Sequence, residues 1–78
     1  MALRLVMNGQ PRVFEELTVG ATVADLIDAL ELKGDRVALE LNGEISARVA
    51  WVETALAEDD KVEIVHFVGG GSAVKMFR

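Results

Sequence analysis

The 78-residue chain has no cysteine, a single histidine and a single proline. Without cysteine there is neither a disulfide framework nor a thiolate metal site. A domain this small, near the lower limit for independent folding, must then rely on a well-patterned core, which a 51% hydrophobic composition can supply. The lone His66 cannot seed a metal cluster and has no Ser or Asp at a recognisable catalytic spacing, so a structural or partner-contacting role is expected. Long hydrophobic runs are also missing, since crossing a bilayer takes about 20 apolar residues. The opening stretch MALRLVMNGQ lacks the apolar region and cleavage site of a secretory signal. These absences point to a cytoplasmic protein without a membrane partner. Basic residues are scarce as well: eight Lys and Arg against thirteen Asp and Glu leave a net charge of −5. Nucleic-acid binding needs clustered cations on the phosphates, so no nucleic-acid partner is expected.

What is present is a chain of clear local signals. Leu3, Leu5 and Met7 alternate with Arg4 and Val6, and Asn8-Gly9 follows as a two-residue hairpin turn. The returning segment QPRVFEEL contains Pro11, which cannot donate to a ladder and so predicts an edge strand. Thr22 stands as a helix N-cap with Asp25 in capping-box position, and Val23, Leu26, Ile27 and Leu30 share one helical face. Gly34 predicts the helix stop. Val37, Leu39 and Leu41 then alternate with Ala38 and Glu40, and Asn42-Gly43 turns the chain toward a short return at Glu44-Ile45. Residues 46–59 lack a clean period; Trp51, Val52, Ala55 and Leu56 fit one helical turn. The last strand is KVEIVHFV.

This order, two strands, a helix, a strand, short elements and a strand, predicts an α+β layer with the helix on one face of a mixed sheet. Such a sheet should be apolar inside and polar outside. The last strand breaks the pattern, because Val62, Ile64, His66 and Val68 share one side while Val65 and Phe67 sit with Glu63 on the other. Two readings fit: an exposed apolar patch for a partner, joined by Val6 and Ala38 if their strands are neighbours, or a central strand buried on both sides.

No residues assemble a nucleophile, a base and an oxyanion donor, so the chain is not expected to be an enzyme, and neither catalytic nor metal-ligating residues are assigned. GGG at residues 69–71 is not followed by a helix and cannot act as a dinucleotide loop. A Gly-Gly segment can instead thread a channel too narrow for other residues or bring backbone close to a ligand. A plain flexible linker is the alternative. The chain thus divides into a domain over residues 1–68 and a flexible glycine tail with a C-terminal extension over 69–78.

Taken together, the Asn8-Gly9 hairpin, ATVADLIDAL, RVALELNGEI, Trp51 followed by ETAL, and DKVEIVHFVGGG strongly resemble the ThiS-type sulfur carriers of thiamine biosynthesis, from about Leu3 to Gly71. The resemblance implies a ubiquitin-like β-grasp fold with a four- to five-stranded sheet whose first and last strands are central and parallel. It implies a partner patch of Val6, Ala38, Val65 and Phe67 on the face away from the helix. It also implies that an E1-like adenylating enzyme uses ATP to activate the terminal glycine carboxylate, that a sulfur donor converts it to a thiocarboxylate, and that thiazole synthase takes the sulfur. No cofactor is expected on this chain itself. Gly71 is the implied reactive end (Gly70 if the chain is trimmed one residue further), with Gly69 and Gly70 threading into the partner. Such carriers finish at the diglycine, whereas here Ser72 to Arg78 follow. Three explanations remain open: a propeptide removed by a peptidase, an appended sequence, or loss of the carrier role with the fold retained. Another sulfur acceptor (molybdopterin, cysteine or a sulfur-containing metabolite) and a non-carrier β-grasp interaction module are the competing functions.

Overall fold

The computed structural model describes the backbone of residues 2–68 and 72–75 and the side chains of 2–67. β1 (Leu3–Met7) and β2 (Gln10–Phe14) form an antiparallel hairpin in which Leu3 faces Phe14 and Met7 faces Gln10. Asn8 and Gly9 have φ of 48° and 85°, the left-handed pair that a type I′ turn requires. β2 lies at the outer edge of the sheet, as Pro11 requires.

The helix α1 (Val23–Ala29) begins as expected. The Thr22 hydroxyl accepts from the Asp25 N–H at 3.2 Å, and the Asp25 carboxylate accepts from the Thr22 N–H at 2.9 Å, a complete capping box. The helix ends earlier than Gly34. Glu31 adopts a φ of 60°; its N–H bonds to the Asp28 carbonyl, and the Leu32 N–H bonds to the Ile27 carbonyl. This is a Schellman closure with glutamate in the place glycine usually takes. Gly34 serves a different need, opening a 3₁₀ turn (Gly34–Arg36) where a Cβ would approach Trp51 Cζ3 to 3.2 Å.

β3 (Val37–Leu41) turns through Asn42-Gly43, with φ of 53° and 88°, into the two-residue β4 (Glu44–Ile45). The segment without a period becomes a 3₁₀ turn at Arg48–Glu53. Trp51 drops from it into the core and donates its indole N–H to the Ser46 carbonyl at 2.9 Å. Val52 stays exposed, and Ala55 and Leu56 lie beyond the turn, Ala55 in an isolated bridge to Thr22 and Leu56 buried. β5 (Lys61–Val68) closes the domain, and the strand order is β2-β1-β5-β3-β4. β1 and β5 run parallel at the centre, with Val6 opposite Lys61 and Met7 opposite Val62; the other pairs are antiparallel.

One face of this sheet carries the core. Leu3, Leu5, Met7, Leu39, Val62 and Ile64 are buried against Val23, Leu26 and Ile27 of α1, with Phe14, Leu17, Trp51 and Leu56 closing the rim. Strand alternation turns Arg4, Val6, Ala38, Glu40, Lys61, Glu63, Val65 and Phe67 to the other face, on which no helix packs among the described residues. The architecture is the mixed-sheet, one-helix β-grasp layout.

Candidate functional site

The site is built on the central strand. β5 is held in register on both edges by the asparagines of the two tight turns. On one side Asn42 Oδ1 accepts from the Lys61 N–H at 2.9 Å, and its amide donates to Asp60 Oδ1 at 3.0 Å. On the other side β1 has ended at Met7, and the Asn8 side chain continues its work. Asn8 Oδ1 accepts from the Ile64 N–H at 2.9 Å while Nδ2 donates to the Ile64 carbonyl at 3.4 Å. Asn8 thereby mimics one further peptide of β1.

The turn before β5 is fixed by charge. Arg4 grips Asp59 through two hydrogen bonds of 2.7 and 3.1 Å, and the Asp59 N–H bonds to the Arg4 carbonyl. The hydrogen bond from Arg4 holds the Asp59 carboxyl below its ordinary value of 3.8, and the same contact raises Arg4 above its own. Both side chains are half exposed, so this pair orients the turn more than it stabilises the fold.

The residues expected to form a patch are distributed as follows. Ala38 and Val65 are directly paired across β3 and β5. Phe67 lies two residues further along the same face and is 40% exposed. Val6 lies opposite Lys61, four residues before Val65, on the same face but at the other end of β5. Ile45, absent from the sequence-based set, completes the apolar strip. It is 81% exposed, pairs with Glu40, and lines a shallow cavity of about 100 Å³ with Ala38, Glu40, Glu63 and Val65. Its place could have been read from the Asn42-Gly43 turn, since a two-residue loop forces Leu41 opposite Glu44 and Glu40 opposite Ile45. The reading of β5 as buried on both faces is excluded by the exposure of Phe67, while Val65 is half-buried.

At the far end of β5 a second cavity, about 390 Å³, is lined by Leu32, Lys33, Arg36, His66 and Phe67 together with Glu31. His66 is half-buried on the helix side, opposite Val37. The strand therefore leaves the domain between an apolar strip and a small cationic cleft, and residues 69–71 follow immediately. Gly69, Gly70 and Gly71 lie outside the described residues. Ser72–Lys75 forms a further strand, β6, antiparallel to the end of β5, so this part of the expected flexible tail is paired. Among the described residues, no cluster of His, Asp and Glu could hold a metal ion and no helix is long and apolar enough to cross a membrane.

Comparison with known proteins matches this geometry. The ThiS family model covers residues 5–71, ending on the third glycine. The chain is 37% identical over 67 residues to the sulfur carrier protein ThiS of Bacillus subtilis, covering 86% of this chain and 98% of that protein. It is also 39% and 35% identical to segments of the thiazole synthases of Paramagnetospirillum magneticum and Magnetococcus marinus, over 90% and 88% of this chain. The chain spans only about a fifth of the length of those two relatives, 21% and 20%. The crystal structure of the thiamine biosynthesis protein ThiS from Geobacter metallireducens superposes with a TM-score of 0.74 at 34% identity, over 88% of this chain and all of that one. With 67 residues matched in an unbroken span and the fold shared, this chain belongs to the ThiS family.

Proposed function

We propose that this chain is a sulfur carrier for thiazole formation in thiamine biosynthesis, working as a protein substrate rather than as an enzyme. The observation that carries the reading is the course of β5. On the outer face of the sheet Val65 and Phe67 of β5 stand beside Ala38 of β3 and Ile45 of β4 as a surface for a partner, and the end of β5 leads directly into the three glycines at which the family match stops. A rigid strand held on both edges can present a slender tail at a fixed angle to the docking face. The partner would recognise the sheet and receive the glycines.

The chemistry needs a free glycine carboxylate. One of its oxygens attacks the α-phosphorus of ATP in the active site of an E1-like adenylating enzyme, and pyrophosphate leaves. Sulfur delivered at the level of hydrosulfide then attacks the carbonyl carbon and AMP departs, leaving a thiocarboxylate. Glycine suits this step because its carbonyl has no side chain to obstruct either attack. Gly71 is the favoured reactive end because the family match ends there, and Gly69 and Gly70 would occupy the partner's channel. Residues 72–78 would have to be removed first by a peptidase.

Thiazole synthase is the preferred sulfur acceptor over molybdopterin, cysteine or another metabolite, because two relatives that contain a matching segment bear that name. The deciding experiment is the intact mass of the protein isolated from its own cells. The expected result is a species ending at Gly71, with a fraction heavier by the difference between sulfur and oxygen. A single species retaining Ser72 to Arg78 and carrying no sulfur would overturn the carrier reading in favour of an interaction module.

A further inference from the structure

β5 has two edges, and they are filled differently. β3 pairs with one edge continuously from Val62 to His66. β1 covers the other only at Lys61 and Val62, and the Asn8 side chain extends that cover to Ile64. Beyond Ile64 neither β1 nor any other strand before β5 reaches this edge among the described residues. There β6 takes over, with Val65 opposite Lys75, His66 opposite Val74, Phe67 opposite Ala73 and Val68 opposite Ser72. Because β3 already holds Val65 and His66 from the opposite side, β6 must lie on the edge that β1 leaves.

The alternation of backbone groups identifies the bonds involved. The carbonyls of Asp60 and Val62 accept from the Val6 and Asn8 N–H groups, and both backbone groups of Ile64 engage Asn8. Even-numbered residues therefore face this edge, which directs the N–H and C=O of His66 and Val68 toward β6. Val74 and Ser72 are their partners.

We propose that Ser72–Lys75 is a built-in cover: a strand added in cis that closes the last open edge of β5 and keeps the glycines from being presented until it is cut or displaced. Its consequence for sulfur transfer rests on the carrier reading; the cover itself does not. In extended form the four residue steps from Val68 to Ser72 would span about 13 Å. Paired as β6, Ser72 lies opposite Val68 at about 5 Å between Cα atoms. A tail so folded cannot extend into a partner's channel, nor can a peptidase readily bind it as an extended strand. The same pairing denies the edge to any other strand, the commonest way an open edge recruits a second chain. A single cleavage after Gly71 would then release the glycines and open the edge beside Phe67 together.

Amide hydrogen exchange on the full chain, a Val74→Pro variant and a chain ending at Gly71 tests this directly. Proline removes the Val74 N–H, which this register directs at the His66 carbonyl. The cover predicts that His66 and Val68 amides exchange at least about tenfold faster in both altered chains, while Val62 and Ile64 amides are unchanged. Equal exchange of His66 and Val68 in all three chains would show that β6 does not form and would overturn the proposal. Dilute proteinase K supplies the second readout by intact mass. Cleavage between residues 69 and 72 should be about tenfold faster in Val74→Pro than in the wild type. Equal cleavage rates would overturn the occluding role. Neither readout involves sulfur, so failure of the cover is separable from failure of the carrier function.

Discussion

At the scale of single residues, the turn asparagines do more than make turns. Asn8 satisfies the φ of 48° and also supplies two hydrogen bonds to Ile64 where β1 has run out. The two roles can be separated, because glycine keeps the first and loses the second. Asn8→Gly is expected to cost about 1–2 kcal/mol, and Asn8→Ala more, since alanine also opposes the left-handed backbone. Urea denaturation of both variants checks this; wild-type stability in Asn8→Gly would mean that the bonds to Ile64 contribute nothing. Asp59 gives a pH-dependent counterpart. Its folded pKa is lowered from 3.8 by Arg4, so its contribution is present above the unfolded value and lost as pH falls through the folded one. Asp59→Asn, which tolerates the φ of 67°, should therefore lower the denaturation midpoint slightly at neutral pH, and the difference should shrink in acid as pH falls through the lowered folded pKa of Asp59. A difference that persists undiminished in acid would place the effect in the turn backbone rather than in the ion pair.

At the scale of elements, the start of α1 was readable and its end was not. Thr22 and Asp25 form a cap from residues three apart, a local arrangement that any sequence window contains. Thr22→Ala should cost about 1 kcal/mol, measured as a shift in the urea midpoint, and an unshifted midpoint would show that Asp25 alone holds the first turn. The helix end misleads because a glycine was available at residue 34 while Glu31 took the left-handed position. Gly34 instead sits where a Cβ would crowd Trp51, seventeen residues away in sequence, a tertiary contact that no local window contains. The strands and their faces were legible from alternation, including the odd apolar side of β5. Which patch members meet was not. Parallel pairing sets Val6 against Lys61 rather than near Val65, and the register of a parallel pair is fixed by packing of the crossover between them, not by a short turn. Ile45 was legible in principle, because a two-residue turn fixes its partner. β6 carries no strong pattern of its own and takes its form from the edge that β1 leaves open.

At the scale of the whole molecule, the β-grasp layout divides the work between two faces and one end. The helix face holds the core and fixes β5; on the proposed carrier reading the opposite face serves recognition and the end of β5 delivers the glycines. Docking and chemistry should therefore fail independently. Ile45 is 81% exposed and makes no contribution to the buried core, so Ile45→Asp should leave stability within about 0.5 kcal/mol of the wild type. In a chain ending at Gly71, the same substitution places a third carboxylate beside Glu40 and Glu63 on the docking strip, and affinity for the activating enzyme should fall about tenfold or more. Gly71→Ala in that chain should do the reverse, retaining affinity within about threefold while thiocarboxylate formation is lost, because on the carrier reading the change falls at the reacting carbonyl and not on the docking strip. Calorimetric binding and intact mass on the two variants separate the steps. If Ile45→Asp binds as the wild type does, the partner reads another face of the domain. If Gly71→Ala is sulfurated normally, the reactive carbonyl lies elsewhere in the tail. A carrier needs both results together, since recognition by the sheet without reaction at the glycine describes only an adaptor, and reaction without recognition would leave the open face of β5 without a purpose.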